Sequence, residues 1–273
     1  MKYLVLLLII ATSHHGYTVE ANSGASKKIS AENSNDIFVC NTGDTVLKTY
    51  NGAIDAFNHL LPGQGVYLCR GGEFEVTRHA RISRTSCEAE KVCTFGAYGE
   101  GPDPVVLGSG DMALTIQSEK GVTVKHLLIK DIVFMGEGYE APNVTGISVS
   151  AKTHLEYIDF DNITIDGYHT GMIFRPASPT NHHVNMRNSK LLRNKGSGFL
   201  GGISDSILEN NLFKNSGTGR SGHQIYVSGK GLKNFTVKGN TLDHNAPVGE
   251  VCNRGPLVAH GVIDGLLIEN SHH

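Results

Sequence analysis

From Gly65 onward the chain is written in short apolar runs, each broken by a polar corner. The clearest example is Ser204 to Gly231, SDSILENNLFKNSGTGRSGHQIYVSGKG. Alternation there predicts strands at Ser206 to Leu208, Leu212-Phe213 and His223 to Val227. A tight corner at Glu209-Asn210 and a Gly/Ser/Asn-rich turn separate them. The corner recurs as Ile129-Lys130-Asp131, Phe160-Asp161-Asn162, Met186-Arg187-Asn188, Leu208-Glu209-Asn210, Val237-Lys238-Gly239 and Ile268-Glu269-Asn270, at intervals of 22 to 31 residues. A constant corner at uneven spacing implies a solenoid whose turns absorb insertions while its strands stay in register. Asn, Asp and Gly tolerate the left-handed backbone that such a corner needs. Stacked corner Asn side chains are expected to hydrogen-bond from coil to coil.

A second strand recurs after each corner and turn: Gly146 to Ser150, Gly171 to Arg175, Gly198 to Gly202, Gln224 to Ser228 and Pro256 to His260. With Ile147, Met172, Phe199, Ile225 and Leu257 inward, alternation sends two columns outward. One is Ser148, Ile173, Leu200, Tyr226 and Val258; the other is Ser150, Arg175, Gly202, Ser228 and His260. Upstream, Gly65 to Val76 and Cys93 to Gly110 read as the first coils. Asp44 to Leu61 carries Ile54, Phe57, Leu60 and Leu61 at helical spacing ahead of Pro62-Gly63, the pattern of a helix lidding the open end of the core.

These strands and corners resemble the right-handed parallel β-helix (pectin-lyase-like) superfamily, and more narrowly the exported bacterial β-helix repeat proteins. Pectate lyases, alginate lyases, uronan epimerases, polygalacturonases and pectin esterases belong to that superfamily. The resemblance spans about Gly65 to His273. It implies an all-β fold, a right-handed parallel β-helix with a short N-terminal capping helix. One fold hosts many chemistries, so it implies less about activity.

Composition narrows the choices. The chain has 273 residues and a formal charge of −2, which gives no sign of a nucleic-acid binder; 33 glycines and no tryptophan suit many short strands. Lys2, the apolar run Tyr3 to Ala11 and the small-residue site Val19-Glu20-Ala21, with Ala11-Thr12-Ser13 the earlier candidate, read as a secretory signal. The expected organisation is a signal peptide at 1–21, a polar leader at 22–43 and a single β-helix domain at 44–273. The sequence stops at a polar corner, so the domain is expected to be incomplete at its C-terminus. A secreted or periplasmic location follows, with no membrane span in the mature chain. Export permits disulfides, with Cys87–Cys93 the first pair, Cys40–Cys69 the second and Cys252 left over. Sequons at Asn143, Asn162 and Asn234 are read as by-products of corner asparagines preceding β-branched residues.

The outward columns direct attention to one sheet. Superfamily members commonly use it to floor a polysaccharide groove, which implies an acidic polysaccharide or other glycan as partner. The candidate catalytic cluster is Arg220, His223, Tyr226 and His260, with Arg175 and His169 binding substrate. Arginine's planar fork suits a uronate carboxylate, and Tyr or His suits transfer of the C5 proton. Elimination or C5 epimerisation is therefore favoured over glycoside hydrolysis, for which no carboxylate pair is visible. Signatures of polygalacturonases, pectate lyases, pectin esterases and alginate epimerases are absent. The alternative is a non-catalytic glycan-binding or surface-structural β-helix. No cofactor is required; calcium at Asp159, Asp161 and Asp166 is weighed against plain solvated acids.

Overall fold

The computed structural model describes residues 36–40, 49–119, 121–138, 144–150, 155–175, 181–217, 222–243 and 256–272. The expected signal peptide, most of the expected leader, Asn143, Arg220 and Cys252 lie outside them. β1 (Ile37–Val39) and α1 (Thr49–Phe57) lead into seven coils of parallel strands. The first coil is β2 (Gly65–Cys69), β3 (Glu73–Glu75) and β4 (Arg81–Ile82). The second is β5 (Cys93–Tyr98), β6 (Val105–Leu107) and β7 (Leu114–Ile116), and the third β8 (Val124–Lys130), β9 (Val133–Met135) and β10 (Thr145–Ser150). The fourth is β11 (Leu155–Asp161), β12 (Thr164–Asp166) and β13 (Thr170–Arg175). The fifth is β14 (His182–Arg187), β15 (Lys190–Leu192) and β16 (Ser197–Gly201). Then come β17 (Ser206–Glu209), β18 (Leu212–Lys214), the long β19 (His223–Lys238), β20 (Thr241–Asp243) and β21 (Leu257–Glu269).

First strands of successive coils stack as face one, second strands as face two and third strands as face three. β19 and β21 each run across the corner from face three to face one, so His223 begins a strand that continues past the expected Val227 end. A register shift between Lys230 and Leu232 makes that corner.

The core is three inward columns. Face one contributes Val66, Phe95, Ile129, Phe160, Met186, Leu208 and Val237, in register and fully buried. Face two contributes Phe74, Val106, Phe134, Ile165, Leu191, Phe213 and Leu242. Face three contributes Leu114, Ile147, Met172, Phe199 and Ile225, as alternation predicts. Each such side chain contributes about 1.5–3 kcal/mol by leaving water.

α1 covers the N-terminal end of this core. Tyr50, Ala53, Ile54 and Phe57, at i, i+3, i+4 and i+7, are all buried, and the rings of Tyr50 and Phe57 pack on Phe95 at 6.2 and 5.9 Å. The helix ends at Phe57, before the Leu61 end of the sequence pattern, and Leu61 points to solvent rather than into the core. Asn51 and Asn58 bind backbone near the first coil's third strand: Asn51 accepts from Thr77 N and donates to Arg78 O, and Asn58 accepts from Ser83 N. The first paired strand, Ile37–Val39, falls inside the expected leader. Its apolar residues pair with β2, Phe38 packs between Tyr67 and Tyr98, and Cys40 bonds to Cys69. The Cys87–Cys93 disulfide is also present.

All six corner residues, Asp131, Asn162, Asn188, Asn210, Gly239 and Asn270, have positive φ between 49° and 62°. Corner side chains bond from coil to coil at Asn162 and Asp131, and a second, interior ladder lies one residue later. Ser189 Oγ accepts from Ile163 N (3.1 Å), Asn211 Oδ1 from Ser189 N (2.9 Å), and Asn240 Oδ1 from both Asn211 N and Nδ2 (2.9 Å). The reason is direction: corner side chains point outward, where Asn162 donates to Asp131 and Asn188 to Asp161. The next residue turns inward, where backbone N–H groups need acceptors. Asn194 and Ser216 repeat the device at the second corner.

Beside the corner, Lys130, Asp161, Arg187, Glu209, Lys238 and Glu269 stand in one register column of alternating sign. Arg187 links Asp159 (2.8 Å) and Glu209 (3.3 Å). Opposite charges at neighbouring rungs favour this register over a slipped one.

Candidate functional site

Face three presents the column expected from alternation. Thr115, Ser148, Ile173, Leu200, Tyr226 and Val258 are cross-strand partners in order. Beside it run Thr145, Thr170, Ser197 and His223. His223 and Tyr226 therefore meet, their ring centroids 5.3 Å apart. Tyr226 is half-buried, whereas His223 is only 3% exposed.

Arg175, His260 and His169 stand apart from them, and Arg220 lies outside the described residues. Arg175 is exposed at the end of β13, two coils from Tyr226, so roughly 10 Å away at the coil repeat. His260 is exposed opposite Ser228, one coil on and two residues along, about 8 Å from Tyr226 by backbone spacing. His169 lies against the next coil, where a Cβ on Gly196 would sit 2.5 Å from its Nε2; glycine there makes room for the ring. Burial, then nearby Lys195, lower its pKa and favour the neutral imidazole.

The three acids weighed for calcium are engaged with donors on two faces. Asp159 accepts from Arg187 and Asn185, Asp161 from Asn188, and Asp166 from Arg193. Among the described residues, no three His, Cys, Asp or Glu side chains group as a metal site.

A second constellation stands on face one, and the sequence reading missed it. Near the start of that face each coil from the third onward bends through a left-handed residue: His126, Tyr157, His183, Asp205, Asn234 and Gly265. Gly, Asn, Asp and, less often, His are the usual occupants of such a backbone; a tyrosine there costs roughly 1 kcal/mol or more. Three consecutive coils nonetheless carry rings. His126 stacks on Tyr157 (4.9 Å, 6°) and Tyr157 on His183 (4.7 Å, 19°), with Tyr157 42% exposed. His182 crosses the stack edge-on and its Nδ1 lies 2.6 Å from His183 Nδ1; its Nε2 faces Glu156 Oε2 at 3.5 Å. Burial, then Lys125, lower the His126 pKa against an opposing pull from Glu156. The sequence signal was a constant offset: each of these residues stands five before its corner.

Comparison with known proteins agrees with this architecture. A family profile described as a right handed beta helix region matches residues 108–270. No curated protein gives a significant match. Among solved structures, a mannuronic acid specific polysaccharide family 6 lyase from human gut microbiota superposes with TM-score 0.50 at 13% identity, over 86% of this chain and 54% of that one. An alginate lyase from a Paenibacillus species gives TM-score 0.47 at 14% identity, over 87% of this chain and 99% of that one. A GH136 lacto-N-biosidase from Eubacterium ramulus gives 0.45 at 14%, over 87% and 56%. The chain thus spans about half the length of the first and last of these. Such distant likeness concerns the fold alone. By the match over more than half its length, with parallel coils, left-handed corners and an interior Asn/Ser ladder, the chain belongs to the right-handed β-helix family.

Proposed function

We propose that this protein is a carbohydrate-active β-helix that acts on a uronate-containing polysaccharide by elimination or C5 epimerisation. The observation that carries the reading is the His223–Tyr226 pair, a phenol and an imidazole together on a sheet of parallel strands. A glycan laid along the coils would meet that pair. Arg175, further along, suits a uronate carboxylate by its planar fork, and neutralising the carboxylate acidifies the C5 proton. Tyr226 or His223 then exchanges that proton. Arg220 precedes the pair in sequence, His260 stands opposite Ser228 one coil on, and His169 lies toward the Arg175 end. Secretion or a periplasmic location belongs to the same reading, since such polymers lie outside the cytoplasm. No helix among the described residues is long and apolar enough to cross a membrane.

The test incubates purified protein with alginate, pectate and glycosaminoglycans, following unsaturated product by ultraviolet absorbance and epimer content by NMR. Turnover of one polymer is expected, with Tyr226→Phe lowering kcat about 100-fold. No change in any polymer refutes the reading. A second reading, glycan binding without turnover, is favoured by the burial of His223. It predicts retention in affinity electrophoresis, weakened by Tyr226→Ala, with no product formed.

A further inference from the structure

His182 and His183 are neighbours at the start of β14, where successive side chains of a regular strand point to opposite faces. The left-handed backbone of His183, with φ of 55°, brings the two rings together instead, and their Nδ1 atoms face each other at 2.6 Å. The same two positions hold Lys125-His126, Glu156-Tyr157, Ser204-Asp205, Lys233-Asn234 and Asp264-Gly265 in the other coils from the third onward. Of these six coils, one alone sets two imidazoles side by side. Its rings are also held in place: Tyr157 stacks on His183 (4.7 Å, 19°) and meets His182 edge-on (5.7 Å, 87°). Glu156 Oε2, 3.5 Å from His182 Nε2, keeps the proton of the neutral ring on that nitrogen and leaves Nδ1 as a lone pair. A carboxylate on the far nitrogen of an imidazole is the usual outer support of a metal-bound histidine. Asp205 follows His183 in the same column, a second acid about 5 Å further on by coil spacing.

We propose that His182 Nδ1 and His183 Nδ1 form a two-nitrogen site on face one for a tetragonal transition-metal ion, copper(II) ahead of nickel(II). At a metal–imidazole distance of about 2.0 Å, cis ligands at 90° stand about 2.8 Å apart and tetrahedral ligands about 3.3 Å apart. From the observed 2.6 Å the rings part by only about 0.2 Å to reach the first arrangement, against about 0.7 Å for the second. Geometry thus disfavours zinc, and the general order of metal affinity puts copper(II) above nickel(II). The metal takes the place of the proton between the facing nitrogens. His183 carries that proton on Nε2 instead, so both rings stay neutral. Both are half-buried, and water fills the remaining coordination positions. Two protein ligands make an open site, unlike a cage of three or more, of which the described residues hold none. The site shares no residue with the His223–Tyr226 pair and does not rest on the glycan reading.

The test titrates the chelator-treated protein separately with copper(II), nickel(II) and zinc(II) salts by calorimetry, and records electron paramagnetic resonance of the copper form. One copper(II) per chain is expected, with a tetragonal spectrum split by two nitrogens. Zinc is expected to bind at least about tenfold more weakly than copper. His182→Asn and His183→Asn are each expected to remove the two-nitrogen splitting. Asparagine suits the left-handed backbone at 183, so far-ultraviolet circular dichroism is expected to match that of the parent. Glu156→Gln touches only the outer support and is expected to weaken copper about tenfold with both nitrogens still coupled. His272-His273 is the other adjacent pair in the expected mature chain, and its double asparagine variant is expected to bind copper as the parent does. Failure of the parent to bind copper would overturn the site. So would a spectrum unchanged by His182→Asn and His183→Asn, or one lost with His272 and His273. Zinc bound more tightly than nickel would overturn the tetragonal geometry.

Discussion

Asn210 and Asn211 are neighbours in sequence, yet their replacement is expected to have very different consequences. Asn211 is 2% exposed and its amide makes three interior hydrogen bonds: from Ser189 N (2.9 Å), to Met186 O (3.1 Å) and to Asn240 Oδ1 (2.9 Å). Asn211→Ala leaves the Ser189 N–H without this acceptor inside the solenoid, at a cost of about 1–3 kcal/mol. The space vacated by the amide adds about 1 kcal/mol. Asn240 Oδ1 keeps its bond from Asn211 N, so the ladder is interrupted at one rung only. The expected loss is about 2–4 kcal/mol, or roughly 5–12 °C in Tm for a chain of this size. Asn210→Gly keeps the backbone bond from residue 210 to Lys238 O and suits φ of 55°, so its effect is expected to stay within about 1 kcal/mol. Urea unfolding of the oxidised protein, read as a midpoint shift at constant m, measures both. Equal losses, or a loss below about 1 kcal/mol for Asn211→Ala, would refute the assignment of the interior ladder as the stabilising one.

Arg187→Glu places an acid between Asp161 and Glu209 and beside Asp159; it is expected to destabilise by about 1–2 kcal/mol in thermal melts, with part of the loss recovered at about 1 M salt. Tyr168→Phe removes a buried hydroxyl that has no hydrogen-bond partner, so calorimetry is expected to find the variant as stable as the parent or up to about 1 kcal/mol more so; a clear loss would show that the hydroxyl is satisfied. His126 and His169 both have folded pKa values below the ordinary 6.5, so the unfolded chain binds more protons as pH falls through 6.5 toward the folded values. Stability carried by these two groups is thus present above pH 6.5 and lost on acidification. A Tm series across that window should flatten in the His126→Asn/His169→Asn double variant.

Much of the fold was legible because side-chain direction in a solenoid is local. The face-three columns, from Ile147 to Leu257 inward and from Ser148 to Val258 outward, follow from period-two alternation once the coils are aligned. The corners were equally plain, since Asp131, Asn162 and Gly239 are residue types that accept a left-handed turn. Alternation stops at a corner, however. Whether residue 210 or residue 211 faces the core depends on the turn's geometry, so the interior ladder one residue past the corner was not legible beside the corner bonds that were.

The candidate sites divide in the same way. That His223 and Tyr226 share a strand was readable; that His223 is buried was not, because burial depends on what packs over it. The ring stack was hidden for a different reason. His126, Tyr157 and His183 are 31 and 26 residues apart, and a tyrosine argues against left-handed backbone. What the sequence by itself determined was the coil: its strands, corners and inward columns, all set by local stereochemistry and hydrophobic alternation. Only the tertiary structure decided what successive coils place side by side. The parallel register brings Glu156 to His182 and Tyr157 to His183, contacts between residues 26 apart that no local rule encodes.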